Sequence, residues 1–124
     1  PMVFAHKTRI EDNAVEKMRV IGDVSGKYVI FLDDMLDTGG TLCAAADAVM
    51  NEGATGCEGI VTHVVASGDA IANIEGSRLN TLLGSNSLII PKHAKFSELS
   101  IAAEIGKAII AEDYNLSHNK LQEG

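Results

Sequence analysis

Phe31-Leu32-Asp33-Asp34-Met35-Leu36-Asp37-Thr38-Gly39-Gly40-Thr41-Leu42 is the stretch whose reading decides the fold. It follows Tyr28-Val29-Ile30, so a continuous apolar and β-branched run, residues 28–32, ends on two adjacent carboxylates. Such a run predicts a strand buried on both faces, as in a parallel sheet. Residues 33–40 then read as a loop. From Thr41 the period changes: Leu42, Ala45, Ala46, Val49 and Met50 fall on one helical stripe, and Gly53 is placed to end that helix. Residues 59–65 (GIVTHVV) read as a second buried strand. Strand, loop, helix and strand make a βαβ unit with a right-handed crossover. The predicted class is therefore α/β with a parallel sheet.

The loop has chemistry as well as geometry. Glycines let a backbone approach a ligand with no Cβ in the way. Successive N–H groups at a helix start form an anion cradle with the helix dipole behind it. The hydroxyls of Thr38 and Thr41 can donate to phosphate oxygens. Asp33 and Asp34 would repel a bare phosphate. One group further away they can accept hydrogen bonds from sugar hydroxyls, or hold Mg²⁺ through water. A phosphate cradle at one end and diol acceptors at the other describe a sugar phosphate. The same carboxylates match the Asp-Asp-x-x-Asp of all-helical prenyl-diphosphate synthases, but there the acidic residues sit within a helix. Here a β-rich run precedes them and Gly-Gly follows. A phosphoacceptor receiver domain would need another Asp after a later strand, and residues 59–65 supply none.

Outward from this unit the pattern is plainer. Residues 2–5 and 15–21 have strand character, and residues 6–13 (HKTRIEDN) are polar and aperiodic, predicting a mobile loop. Residues 22–27 read as a turn, 69–74 as a short helix and 81–83 as a short strand. Residues 97–112 predict a helix with Ser97 or Ser100 as N-cap and Ile101, Ile105, Ala108 and Ile109 on its core side. No repeat or linker divides the chain. Its 124 residues fit one domain, with 46% hydrophobic and 22% charged residues in a globular balance.

The net charge of −7 argues against nucleic acid and anionic membranes as partners. It also means that a phosphate site must rely on backbone N–H groups, a metal ion or a few placed cations. Cys43 and Cys57 have no C-x-x-C spacing, which predicts two free thiols in a cytoplasmic protein. No apolar run is long enough to span a bilayer and no signal peptide is evident.

The strand, the two acidic residues and Asp-Thr-Gly-Gly-Thr together resemble the motif of type I phosphoribosyltransferases and of ribose-phosphate pyrophosphokinases (PRPP synthetases). Four further features resemble the synthetases in the same order: Lys7-Thr8-Arg9, then Ile21-Gly22-Asp23-Val24 with Gly26-Lys27, then Thr62-His63 with Ser67-Gly68-x-Ala70, then Ser85-Asn86-Ser87 with Pro91. Ordinary phosphoribosyltransferases share only the central motif. Val64 and residues 116–124 depart from the synthetase pattern.

The resemblance implies a phosphoribosyltransferase-like (type I) α/β fold, truncated on its N-terminal side, and the C-terminal half of a two-domain enzyme. It implies that Asp33 and Asp34 bind the ribose 2- and 3-hydroxyls and meet Mg²⁺ indirectly or through the substrate. It implies that Asp37, Thr38, Gly39, Gly40 and Thr41 wrap the 5-phosphate of ribose 5-phosphate. Lys7 and Arg9 match the flexible catalytic loop that closes over ATP. The implied reaction moves pyrophosphate from Mg-ATP to the ribose 1-hydroxyl, in a homo-oligomer, with this chain inactive alone. A phosphoribosyltransferase that consumes PRPP and a non-catalytic binding or regulatory module are the alternatives. His63 reads either as a wall of the site or as a hydrogen-bonded structural histidine.

Overall fold

A computed structural model describes residues 4–8 and 17–122, with side chains for Ala5 and residues 18–113. Strands β1 (Phe4–Thr8) and β2 (Lys17–Ile21) form an antiparallel hairpin, with Lys7 opposite Met18. The main sheet is β3 (Tyr28–Leu36), β4 (Gly56–Val64), β5 (Leu82–Ser85) and β6 (Phe96–Leu99), side by side in that order and all parallel. Helix α1 (Gly40–Asn51) connects β3 to β4, α2 (Ala70–Gly76) connects β4 to β5, and α3 (Ala102–Gln122) follows β6. The α/β class with a parallel sheet is as the sequence indicated.

The core lies between the sheet and the two crossover helices. Leu42, Ala46 and Val49 of α1 pack with Val29, Cys57, Val61, Ile74 and Leu82. Gly59 permits this closeness: a Cβ there would stand 2.7 Å from Leu82 Cδ1 and 3.1 Å from Leu42 Cδ2. Helix α1 ends as expected. Gly53 adopts φ +90, and its N–H donates to the Met50 carbonyl at 3.3 Å.

Five expectations are corrected. First, β3 is not buried on both faces. Val29 is 7% exposed, whereas Tyr28, Ile30 and Leu32 are 51%, 54% and 78% exposed. Among the described residues, helices cover only one side of this strand, so its apolar run alternates between core and open surface.

Second, β3 does not stop at Leu32. Its pairing with β4 runs on to Leu36 opposite Val64, so Asp33 and Asp34 stand on a strand and the loop shrinks to residues 37–39. Third, the loop expected over residues 6–13 does not begin at His6. Residues 6–8 belong to β1, held by ladder pairing to β2, and residues 9–13, including Arg9, lie outside the described residues.

Fourth, residues 96–99 are a strand and the last helix begins at Ala102. Asn86 fixes that boundary. Its N–H donates to the Leu99 carbonyl at 2.9 Å, and its Oδ1 accepts from the Ile101 N–H at 3.0 Å. Ser97 is therefore no cap, while the Ser100 hydroxyl accepts from the Ala102 N–H at 3.4 Å. Fifth, the isoleucine stripe of α3 is not core: Ile105, Ile109 and Ile110 are 51%, 64% and 72% exposed.

Candidate functional site

The carboxyl end of β3 brings the two carboxylates and the helix start together. Asp33 pairs in register with Val61, and both Asp33 and Asp34 are exposed. The Asp34 N–H donates to Asp33 Oδ1 at 2.9 Å, so one Asp33 oxygen is engaged locally. The other carboxylate oxygens of the pair have no hydrogen-bond partner among the described residues.

The strand end is tied to the segment after β4. The Leu36 carbonyl accepts from the N–H groups of Val65 and Ala66, each at 3.0 Å, and the Asp37 carbonyl accepts from the Ser67 N–H at 3.1 Å. The Ser67 hydroxyl also donates to Asp37 Oδ1. Ala66, at φ +50, lies in the left-handed region. That backbone is uncommon outside glycine. Asp37 is thus fixed at both its main chain and its side chain, and it is held as a wall of the loop.

Beyond Asp37 the chain turns directly into α1. The Asn73 amide Nδ2 donates to the Thr38 carbonyl at 2.9 Å. Gly39, at φ +78, occupies the N-cap position, and its carbonyl accepts from the Cys43 N–H at 2.9 Å. All three carbonyls of the loop, those of Asp37, Thr38 and Gly39, are therefore engaged. The N–H groups of residues 38–42 have no acceptor among the described residues. Those of residues 39–42 are the four orphan donors of the helix N-terminus, uncapped by any side chain. They border a concavity of about 240 Å³, lined by Asp33, residues 35–42 and Val61. Thr38, Gly40 and Thr41 are exposed on it and Gly39 is buried beneath.

A second groove, about 800 Å³, runs beside the outer edge of β3, between that strand, the β1–β2 hairpin and α1. Its walls include Val20, Val24, Phe31 and Leu42, and it reaches Asp33 and Thr41. The larger volume is mostly apolar. Asp23 and Lys27 also line the larger groove, whereas the N–H donors of the loop, with Asp33 and Asp37, border the smaller one.

Neither the small concavity's lining nor the Asp33–Asp34 pair includes a Lys or Arg among the described residues. No group of three or more His, Cys, Asp or Glu is arranged among them to hold a metal ion. A divalent cation here would have to be shared with a ligand's oxygens. The exposed Asp33–Asp34 pair fits Mg²⁺, which keeps several waters and binds through one or two carboxylates plus substrate phosphates.

Of the residues singled out in the sequence, Asp33, Asp37, Thr38, Gly39, Gly40 and Thr41 line the small concavity, while Asp34 follows Asp33 on β3 and is not among its lining residues. Lys7 lies on β1, and Ala5 of the same strand lines the larger groove. Arg9 is outside the described residues. His63 makes a hydrogen-bonding pair: its Nδ1 is 2.8 Å from Ser87 Oγ, and that hydroxyl donates to the Thr62 carbonyl at 3.1 Å. Cys43, in the first turns of α1, is half-buried, and burial pushes its thiol up from the ordinary value. Sequence reasoning gave Ser67 no role and passed over Asn73. The Asn73 contact spans 35 residues and leaves no local signal.

Residues 7–120 match the family described as the phosphoribosyl synthetase-associated domain. Curated relatives include a ribose-phosphate pyrophosphokinase of Bacillus cereus, 40% identical over 113 residues that make up 89% of this chain and 36% of that protein. Ribose-phosphate pyrophosphokinase 1 of Listeria innocua is 37% identical over 126 aligned residues, covering 99% of this chain and 40% of that one. Among solved structures, the crystal structure of phosphoribosylpyrophosphate synthetase from Mycobacterium smegmatis superposes with a TM-score of 0.81 at 34% identity, over 93% of this chain and 37% of the other. The chain thus spans well under half the length of each of these relatives. On the family match and these likenesses together, the chain belongs to the phosphoribosyl synthetase-associated domain family.

Proposed function

We propose that this chain carries the ribose 5-phosphate half of a ribose-phosphate pyrophosphokinase site. The observation that carries this reading is the run of N–H groups at residues 38–42, free of acceptors among the described residues and set beside two exposed carboxylates. The 5-phosphate sits on those donors and on the Thr38 and Thr41 hydroxyls. Asp33 and Asp34 accept from the ribose 2- and 3-hydroxyls, and Asp37 walls the loop. Mg²⁺, brought with ATP and shared with the Asp33–Asp34 pair, supplies charge neutralisation for the transferred phosphates. In the complete reaction the ribose 1-hydroxyl attacks the β-phosphorus of ATP, and pyrophosphate moves as a unit. Lys7 and Arg9 close over the charge that builds there.

The chain alone binds ribose 5-phosphate weakly and makes no PRPP. The sugar-phosphate site is local, within one segment. Catalysis is not, because aligned reactants account for ~7–11 kcal/mol of such a barrier and ATP must be held in line. The reading includes a cytoplasmic place and homo-oligomeric assembly; the assembly is supported by the outer edge of β3, unpaired among the described residues, and by the exposed Tyr28, Ile30 and Leu32.

The test combines calorimetric titration of the chain with ribose 5-phosphate and an AMP-release assay with Mg²⁺, ATP and ribose 5-phosphate. Binding without AMP release is the expected result. Absence of binding at millimolar ribose 5-phosphate overturns the site assignment. Turnover abolished by Lys7→Ala overturns the claim that the chain is inactive alone.

A further inference from the structure

Asn73 lies on α2, outside every segment the sequence ties to the phosphate loop, yet it grips that loop. Its Nδ2 stands 2.9 Å from the Thr38 carbonyl. A carbonyl can only accept, so the side-chain amide must present its NH₂ there. The main chain of Asn73 is fixed as well. Its N–H donates to the Asp69 carbonyl at 2.9 Å, and its carbonyl accepts from the Cys43 thiol at 3.4 Å. One residue therefore joins the loop, the start of α1 and α2.

The bond to the Thr38 carbonyl has a consequence on the other side of the same peptide. In a trans peptide unit the C=O and the following N–H point in opposite directions. Drawing the Thr38 carbonyl toward α2 turns the Gly39 N–H away from α2. The next peptide is held in the same sense, because the Gly39 carbonyl accepts from Cys43 N–H. That second hold is intrinsic to the helix, and the first is not. Gly39 at φ +78 has the conformational freedom to let the Thr38–Gly39 peptide rotate. Rotated, it would aim a carbonyl oxygen at the place where an anion needs a donor.

We propose that Asn73 is a positioning residue for the phosphate loop, holding the Thr38–Gly39 peptide with its N–H directed at the ligand. This deepens the reading of residues 37–41 as a phosphate cradle and rests on it. A merely structural Asn73 would pin α2 to the sheet and act on stability alone. Asn73 is exposed, so water can replace its side chain at little cost to the fold. Loop orientation then separates from stability.

The experiment uses the whole chain, isotopically labelled, with Asn73→Ala and Asn73→Asp. Ribose 5-phosphate and inorganic phosphate are the probes, and thermal unfolding is recorded for each variant. Without ligand, Asn73→Ala is expected to shift or broaden the Gly39 amide resonance as the peptide samples both orientations. With ligand, its affinity for both phosphates should fall on the order of tenfold, the scale of one lost hydrogen bond. Asn73→Asp cannot donate and adds a negative charge, so it should bind more weakly still.

A Gly39 resonance unchanged in ligand-free Asn73→Ala overturns the proposal, as does an affinity within about twofold of the parent. An affinity loss matched by a loss of folded protein also overturns it. If the parent chain binds neither phosphate, the cradle reading fails instead, and the ligand-free amide measurement still judges Asn73.

Discussion

Gly39 and Ile74 stand close across the α1–α2 junction, so that a side chain at position 39 would fit only if Ile74 gave way by a few tenths of an ångström. A Cβ there would come within 3.3 Å of Ile74 Cδ1 and 3.6 Å of Leu36 Cδ1, and Ile74 is fully buried. Gly39 also holds φ +78, a left-handed backbone at the N-cap of α1. Two separate costs therefore meet in Gly39→Ala. The conformation alone costs roughly 1–2 kcal/mol for a residue with a Cβ, and the contact with Ile74 adds to it. Urea denaturation should show a loss of about 2 kcal/mol. Adding Ile74→Val to Gly39→Ala removes the Cδ1 and should restore only the contact share, so the two effects couple. Strict additivity of the two substitutions would refute the contact account.

Asp33 and Asp34 make a prediction of opposite sign for two ligands. Asp33→Asn and Asp34→Asn each remove a negative charge beside the loop and an anionic acceptor for a sugar hydroxyl. Ribose 5-phosphate affinity should fall about 10- to 100-fold, the range of hydrogen bonds to charged groups. Inorganic phosphate has no diol and should bind equally well or more tightly. Titration calorimetry with both ligands checks this. Parallel losses for the two would show that the carboxylates act on loop structure and not on the sugar.

The two cysteines differ in reach but share a direction. Burial pushes both the Cys43 and the Cys57 thiol above the ordinary value of 9.0. Cys57 is 0% exposed and Cys43 is half-buried. Because the folded-state values are raised, their contribution to stability is complete below the unfolded thiol range and is lost as pH rises through the folded values. At pH 8 a disulfide reagent should label Cys43 slowly and Cys57 only as the chain unfolds. Stability should decline on the alkaline side of pH 9. Rapid native-state labelling of Cys57 would contradict its place in the core.

What the sequence made legible follows from where the information sits. The β3–α1–β4 unit was readable because its signals are local and agree: a β-branched run, two glycines, then a helical stripe from Leu42 to Met50. The candidate site residues, Asp33 to Thr41, are contiguous within that unit, so the sequence singled them out together with it. The end of β3 was misplaced because Asp33 and Asp34 look like loop residues, while the ladder to Val61, His63 and Val64 carries the strand past them. That pairing partner is a property of the sheet. The α3 stripe failed for a related reason. Helical spacing at Ile101, Ile105 and Ile109 says that a face is apolar, and says nothing about what covers it. Residues 96–99 lack alternation, and Asn86 defines their end from a distance.

Lys95 offers the last prediction, because it stabilises the helix that carries Asn73 and Ile74. Its Nζ donates to the Ile74 carbonyl at 3.1 Å and to the Ser77 carbonyl at 2.8 Å. These are carbonyls at the C-terminal end of α2, where a helix leaves acceptors unpaired and its dipole is negative. The Ser77 hydroxyl shares the Ile74 carbonyl at 2.7 Å. A seven-residue helix has little stability of its own, so its terminal ties count for more than in a long one. Lys95→Met keeps the aliphatic stem and deletes only the charged donors. The loss should be about 2 kcal/mol by urea denaturation, as charged hydrogen bonds to partly buried carbonyls contribute roughly 1.5–3 kcal/mol. Lys95→Arg, which restores charge and donors, should recover part of it. Hydrogen exchange should localise the weakening to α2 before the sheet. A change in Lys95→Met below about 0.5 kcal/mol, the level of an ordinary surface substitution, would show that the cation does not hold α2 in place.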